Sequence, residues 1–452
     1  MASKSYEMDM CSGPLPGKII RFAIPLMLSS ILQLLFNAAD VIVVGQFAGS
    51  TSLAAVGSTG ALINLLTNIF LGLSIGTNVL VARYYGAHQD QNIQDTIHTS
   101  MMIAILGGLI LILVGCTLTR PLLELMGTPL DVIDKSVIYM RILFIGCPFM
   151  MVYNFGSAIL RAVGDSKRPL YFLIACCLTN VLLDLLFVVG LGMGVAGAAV
   201  ATVLSQVVSV ILTFGALMRS KECFRFSFKE LRMDMNLLKS MLRIGLPVGL
   251  QSTMYSISNI LVQSSINGFG TDVIAAWTAV GKVDSIFWMA INAFGIAVTT
   301  FAGQNFGAGK YDRVHKCVRV SMGMAMGMTI VLSGLLLLTE RFTLGLFCRD
   351  AEVLAYGEKM MFYMVTFYFT YVPIEVLSGA IKGAGDSLRP MIITLLGICV
   401  LRVAWVLLMV PIWHNLFTLS ISYPISWLTT AIIFIIYYFK SDWMQRCIRA
   451  KS

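Results

Sequence analysis

Twelve apolar runs fill nearly the whole chain, at roughly 18–47, 53–84, 93–118, 131–160, 169–190, 193–218, 240–268, 273–305, 313–338, 352–381, 390–411 and 416–439. Each is long enough to cross about 30 Å of hydrocarbon as a helix. None alternates residue by residue, as the strands of a membrane barrel would. The composition agrees: 58% hydrophobic and only 12% charged residues leave no way to hide the apolar side chains in one water-soluble core. The expected fold class is an all-α membrane protein with twelve transmembrane helices. The first run is too long for a cleavable signal and has no small-residue cleavage site, so it reads as the first span.

A net charge of +9 could suggest a nucleic-acid partner, but its placement argues against one. The basic residues gather in alternate loops. They include Lys167 and Arg168, the run Arg219, Lys221, Arg225, Lys229 and Arg232, and Lys310, Arg313 and Lys316. The intervening loops hold few, such as Arg120 and Arg349. The positive-inside rule then puts both termini in the cytoplasm of a multi-pass protein. Ten cysteines are scattered through the chain, with Cys116, Cys147, Cys176, Cys177 and Cys399 inside apolar runs. No pair has metal-ligand spacing and the four histidines do not cluster with them, so they read as small packing residues.

The chain repeats itself. "GDSKRP" at 164–169 returns as "GDSLRP" at 385–390, an offset of 221. At the same offset "ARYYGA" (82–87) meets "GQNFGA" (303–308), and at 222 "FAIPL" (22–26) meets "IGLPV" (244–248). Three landmarks in one order indicate an internal duplication of six spans. An even number of spans returns the chain to the same side, so the copies form two parallel six-helix bundles related by a pseudo-twofold axis. The expected organisation is an N-terminal segment 1–17, a first lobe 18–218, a linker 219–239, a second lobe 240–440 and a tail 441–452. Phe224, Phe226 and Phe228 suggest either that the linker lies along the headgroups or that it is a plain connecting loop. In the repeated phrase, Gly can end one helix with positive φ, Asp and Ser can cap the next, and Pro fits its first turn. A tight turn between helices is the plain reading and a gating contact the sharper one.

Two similar bundles make a cleft that rocking can open to alternate sides, a geometry general to secondary transporters. No glycine loop with Lys-Ser/Thr marks an ATP site. Few ionisable residues lie inside the spans, and each is costly unless paired or hydrated. Asp40 lies about 12 Å from the outer end of span 1, and Asp184 about 10 Å from that of span 5. Thr202 lies one to two turns into span 6. Asn180 and Asp184 share a helical face, as do Asn37 and Asp40. Two carboxylates in a low dielectric resist joint ionisation, and one keeps a proton until a cation arrives or the pH rises. These five residues therefore form a candidate coupling site for H+ or Na+. The plain alternative is that Asp40 and Asp184 hydrate separate crevices.

The second half lacks this set, since Asn180 corresponds to Leu401 and Asp184 to Trp405. Its own charges are Lys282, Asp284, Glu375 and Arg402, with Glu375 at the place of Asn154. Glu375 could attract a cationic substrate or be neutralised by Lys282 or Arg402. Asn154, Tyr255, Lys282, Asp284, Met289 and Glu375 are candidates for the substrate cleft. Pro25 and Pro247 interrupt spans 1 and 7 and can act as hinges. Methionines and aromatic rings such as Trp277, Trp288, Tyr368 and Tyr371 suit varied apolar or cationic ligands, or simply pack helices.

The order of these features, with "ADVIVVGQFAGSTSLAAVG" (39–57) and "GLGMGVAGAAVAT" (190–202), resembles the multidrug and toxic compound extrusion (MATE) family over about residues 14–440. The similarity is greatest to the prokaryotic DinF-like branch. It implies a V-shaped pair of bundles in a prokaryotic cytoplasmic membrane that exports organic, often cationic, compounds against an inward flow of Na+ or H+. It also implies a first-lobe site built on Asp40, Asn180, Asp184 and Thr202. The acidic group that the NorM-like branch carries in span 7 is missing here. The expected partners are small organic substrates and the lipid bilayer, with no cofactor, no nucleic acid and a monomeric working state. A lipid-linked saccharide flippase of the same superfamily is the alternative, and a membrane-embedded enzyme or receptor is a distant one.

Overall fold

A computed structural model describes residues 6–220, 223–347 and 350–450, apart from the side chains of Ser50 and Ala61. Lys221 and Arg349, two of the charges expected in loops, lie outside the described residues. The described chain is helical throughout, with no strand. Its long helices are α1 (Leu15–Phe47), α2 (Ser50–Gly86), α3 (Asp90–Leu125), α4 (Leu130–Ala162), α5 (Lys167–Gly190) and α6 (Gly194–Met218) in the first half. In the second half they are α7 (Met235–Asn267), α8 (Thr271–Gly307), α9 (Tyr311–Leu338), α10 (Ala351–Gly383), α11 (Leu388–Met409) and α12 (Leu416–Lys440). Eleven are long and apolar enough to cross a membrane. The exception is α7, whose 33 residues carry many Ser, Asn and Gln. Exposed Leu109, Ile110 and Leu113 on α3 and Ile432 and Ile436 on α12 are the side chains that lipid would cover.

The duplication is visible in backbone detail. α1 and α7 are both 33 residues long, and α2 and α8 both 37. Gly164 and Gly385 have φ of 90° and 97°, as the repeated turn requires. In both copies the acid does the capping. Asp165 accepts from the backbone N–H of Lys167 and Arg168 at 3.0 and 3.1 Å, and its second oxygen pairs with the Arg168 side chain. Asp386 accepts from the Arg389 N–H at 3.4 Å and pairs with its guanidinium at 2.5 Å. Ser166 and Ser387, expected to share the capping, make no side-chain cap bond because the preceding acid already reaches those donors. The plain reading of the phrase, a tight turn, accounts for it.

The chain forms two compact units. Of the described residues, one holds those up to Asp9 and within Ile24–Gly249; the other holds Met10–Ala23 and those from Leu250 onward. Of the three divisions, one falls between Asp9 and Met10 before α1, and the other two fall inside α1 and α7, within two residues of Pro25 and Pro247; none falls in the 219–239 segment. Each proline removes one helix hydrogen bond. On α1 the hydroxyls of Ser29 and Ser30 also bond back to the carbonyls of Pro25 and Leu26 at 2.8 and 3.2 Å, a pattern that favours bending.

In the first unit the core lies between α2, α3 and α4, around Val79, Met101, Met140, Phe144 and Phe155. The segment after α6 belongs to it. Phe224 and Phe226 are each only 1% exposed, while Phe228 is 53% exposed. The headgroup placement suggested for these rings is therefore corrected. A turn at Phe224 and an irregular stretch turn Phe224 and Phe226 inward, and the 3-10 turn that starts at Phe228 directs that ring out. Phe226 stacks on His98 with centroids 5.4 Å apart, and the Ser227 N–H donates to His98 Nε2 at 3.3 Å. Gly72 and Gly76 of α2 face Gly245 and Gly249 of α7 so closely that a Cβ on Gly72 would overlap the Gly249 backbone. Two small-xxx-small stripes let these helices meet backbone to backbone.

In the second unit α8 and α10 pack together, and Gly295 leaves the space that the Glu375 carboxylate fills. α10 tightens in its middle. The N–H of Thr370 bonds to the Phe367 carbonyl and that of Tyr371 to the Tyr368 carbonyl, both at 2.9 Å, just before Pro373. In such a 3-10 turn side chains three apart line up, which sets Tyr368 and Tyr371 on one face.

Candidate functional site

The first unit assembles a buried polar chamber from α1, α5 and α6. Asp40 is 6% exposed, Thr202 7%, and Asn180 and Asp184 not at all. The Thr202 hydroxyl donates to Asp40 Oδ2 at 3.2 Å. Asn180 and Asp184 lie beside Asp40, and Tyr139 of α4 stands near both carboxylates. The four-residue step from Asn180 to Asp184 puts both on one helix face. Directly after Asp184 the helix widens into a π-helical stretch, Leu185–Gly190, closed by the Leu191 N–H to the Leu186 carbonyl at 2.9 Å. Such bulges often mark functional positions.

The chamber is under-satisfied. Asp40 Oδ1, both Asp184 carboxylate oxygens and both polar atoms of Asn180 are buried without a hydrogen-bond partner in the protein. Buried carboxylate oxygens left this way are costly unless a proton or cation meets them. The donor set is all oxygen, which suits a hard cation as well as a proton. Among the described residues no group of three or more His, Cys, Asp or Glu forms a metal cluster.

Asn37 does not join the chamber, contrary to expectation. Its side chain is exposed. A step of three residues leaves about 60° of rotation around the helix, enough to carry it off the buried face. Tyr139 was not anticipated; an aromatic on α4 gives no periodic signal toward a site on other helices. Asn154, also in the first unit, is half-buried and donates to the Met150 carbonyl at 2.8 Å on its own helix.

The second unit encloses a cavity of about 470 Å³. Tyr255 and Asp284 line it, together with Trp288, Tyr371, Arg402 and Trp427. Asp284 accepts from the Tyr368 hydroxyl and from the Trp288 indole N–H at 2.5 Å. Arg402, 3% exposed, lies 4.0 Å over the Tyr423 ring. Met289 is half-buried and stands outside the cavity lining. Lys282 is exposed, so it is not the buried charge expected. It lies two residues from Asp284, a step that turns it to the far side of α8. Glu375 is half-buried, and among the described residues neither Lys282 nor Arg402 lies within ion-pair distance of it.

A repeated bundle of membrane helices with a buried acidic chamber defines a transporter scaffold, and comparison with known proteins agrees. The MatE family model matches residues 25–186 and again 247–408, one match per repeat. The chain belongs to the MATE family. It is 31% identical over 384 residues, 83% of each chain, to the probable multidrug resistance protein YoeA of Bacillus subtilis (strain 168). It is 24% identical to the probable multidrug resistance protein NorM of Thermotoga maritima, over 87% of this chain and 85% of that one. Among solved structures, a MATE protein in the bent conformation superposes with a TM-score of 0.91 at 22% identity, covering 98% of both chains.

Proposed function

We propose that this protein is a multidrug exporter that exchanges small organic compounds, many of them amphipathic cations, for inward-moving H+ or Na+. The observation that carries this reading is the set of unpartnered oxygens on Asp40 and Asp184 in a closed chamber. The names of the relatives in Bacillus subtilis and Thermotoga maritima support export of drug-like compounds.

In this scheme a proton or sodium ion enters the chamber and neutralises part of its charge. Asp40 and Asp184 take up the ion, with the Asn180 amide oxygen and the Thr202 hydroxyl completing its surroundings. The change is transmitted along α1, which carries Asp40 on one side of Pro25 and leaves the unit on the other. Pro25 and Pro247 serve as hinges, and the two repeats rock to expose the substrate to alternate sides. The protein works as a monomer in the cytoplasmic membrane of a prokaryote, with both termini in the cytoplasm.

The test is efflux of a fluorescent organic cation from proteoliposomes, with the pH gradient and the Na+ gradient imposed separately. One gradient should drive export in the unaltered protein, and Asp40→Asn and Asp184→Asn should abolish that response. Full export by both variants under each gradient would remove the chamber from the mechanism.

A further inference from the structure

We propose that the cavity of the second unit is a binding site for a planar aromatic carboxylate, with Arg402 as the partner of the anion. The cavity, about 470 Å³, is of the size that small-molecule sites occupy. Its walls include the rings of Trp277, Trp288, Tyr371, Tyr423 and Trp427. Flat aromatic walls favour a flat aromatic ligand through stacked and edge-to-face contacts.

Charge decides the sign of the ligand. Asp284 and Arg402 are the charged side chains in the lining. Asp284 is already engaged, one oxygen by the Tyr368 hydroxyl and the other by the Trp288 indole. Arg402 is not matched in the same way. Its Nε and one terminal nitrogen share a single hydroxyl, that of Ser426, at 3.3 and 3.1 Å. Among the described residues no carboxylate lies within ion-pair distance of it. The Trp427 indole N–H in the same wall is buried and has no acceptor. The Arg402 end of the cavity therefore offers N–H donors that no protein carboxylate meets. An organic cation would meet a buried guanidinium and an engaged carboxylate; an anion would meet the guanidinium N–H groups that Ser426 does not take.

The geometry also fixes which anion fits. The guanidinium carbon lies 4.0 Å from the centre of the Tyr423 ring, an aromatic contact that restrains the group. A planar carboxylate matches the edge of a guanidinium in bidentate fashion. Arg402 follows a π-helical stretch of α11, Leu395–Val400, by two residues. Asp184 likewise adjoins a π-helical stretch of α5, at a different position of the repeat.

The experiment is calorimetric titration of the full chain in lipid nanodiscs with 2-naphthoate, 2-naphthamide and 2-naphthylmethylammonium. Naphthoate should bind at least tenfold more tightly than the amide, and the ammonium compound more weakly than naphthoate. Arg402→Gln should weaken naphthoate at least tenfold, with Arg402→Lys recovering part of the loss. Absence of naphthoate binding, or equal affinity for the amide or the ammonium compound, would overturn the proposal. So would full affinity in Arg402→Gln. If that variant does not fold, the ranking of the three ligands on the unaltered protein decides alone.

Discussion

The hydroxyl of Thr202 joins Asp40 across 162 positions of sequence at 3.2 Å, while also donating to the Ala198 carbonyl at 3.0 Å. One hydroxyl proton is thus divided between the carboxylate and its own helix. Asp40 Oδ2 is held by a shared donor and Oδ1 by none. The link ties α1 to α6 and leaves the carboxylate with capacity to spare.

Asp40→Asn and Asp184→Asn are expected to cut gradient-driven efflux by more than tenfold while leaving the folded yield intact, because an amide fills the same volume without the negative charge that a proton or cation neutralises. Thr202→Val should have a smaller effect, a few-fold loss, since the carboxylates remain. Dye efflux from proteoliposomes beside size-exclusion profiles would check both. Efflux at the unaltered rate in Asp184→Asn would count against the chamber.

The repeated turns should differ in what they contribute. Asp165 is fully buried and Arg168 is 20% exposed, whereas Asp386 and Arg389 are 10% and 44% exposed. Asp165→Ala should cost about 1–2 kcal/mol through lost capping. Asp386→Ala should cost less, because water replaces part of what is lost. Thermal unfolding of both variants in detergent reads the order, and a larger loss for Asp386→Ala would contradict it.

Gly72→Ala should destabilise the first unit by about 1–3 kcal/mol, as overpacking forces two backbones apart. Gly57→Ala, where a new Cβ meets nothing within 4 Å, is the control and should be neutral or slightly stabilising. Equal melting temperatures for the two variants would mean that α2 and α7 do not meet as described.

His88 has a φ of 54°, the one positive value outside glycine among the described residues. Its counterpart 221 positions on is Gly309, with a φ of 71°. The left-handed conformation costs a side chain about 1 kcal/mol, which His88→Gly should recover in part. A higher melting temperature is the expected result, and a lower one would show that the imidazole is needed there.

Much of this molecule can be read from its residues. Helical steps and depth along a span brought Asp40, Asn180, Asp184 and Thr202 to one level, because a helix has a fixed rise and pitch. Asn37 failed by the same geometry, since a three-residue step only approximates a shared face. The burial of Phe224 and Phe226 was not legible because a short irregular stretch between helices carries too little pattern to reveal its packing. The second-unit cavity was half legible. Tyr255 and Asp284 stand out as polar residues in apolar spans, but the grouping of Arg402 with Tyr423 and Trp427 depends on α11 meeting α12. The interlocked glycines of α2 and α7 are equally hard to foresee, since Gly-x-x-x-Gly recurs wherever glycine is common.

The placement of Met10–Ala23 in one unit and of Met235–Gly249 in the other has a consequence for biosynthesis. As the chain leaves the ribosome, six helices are available before the seventh emerges, yet the first bundle lacks a wall until position 249 has been translated. The contacts that α2 makes with Gly245 and Gly249 can form only once the second copy of the repeat has begun to emerge.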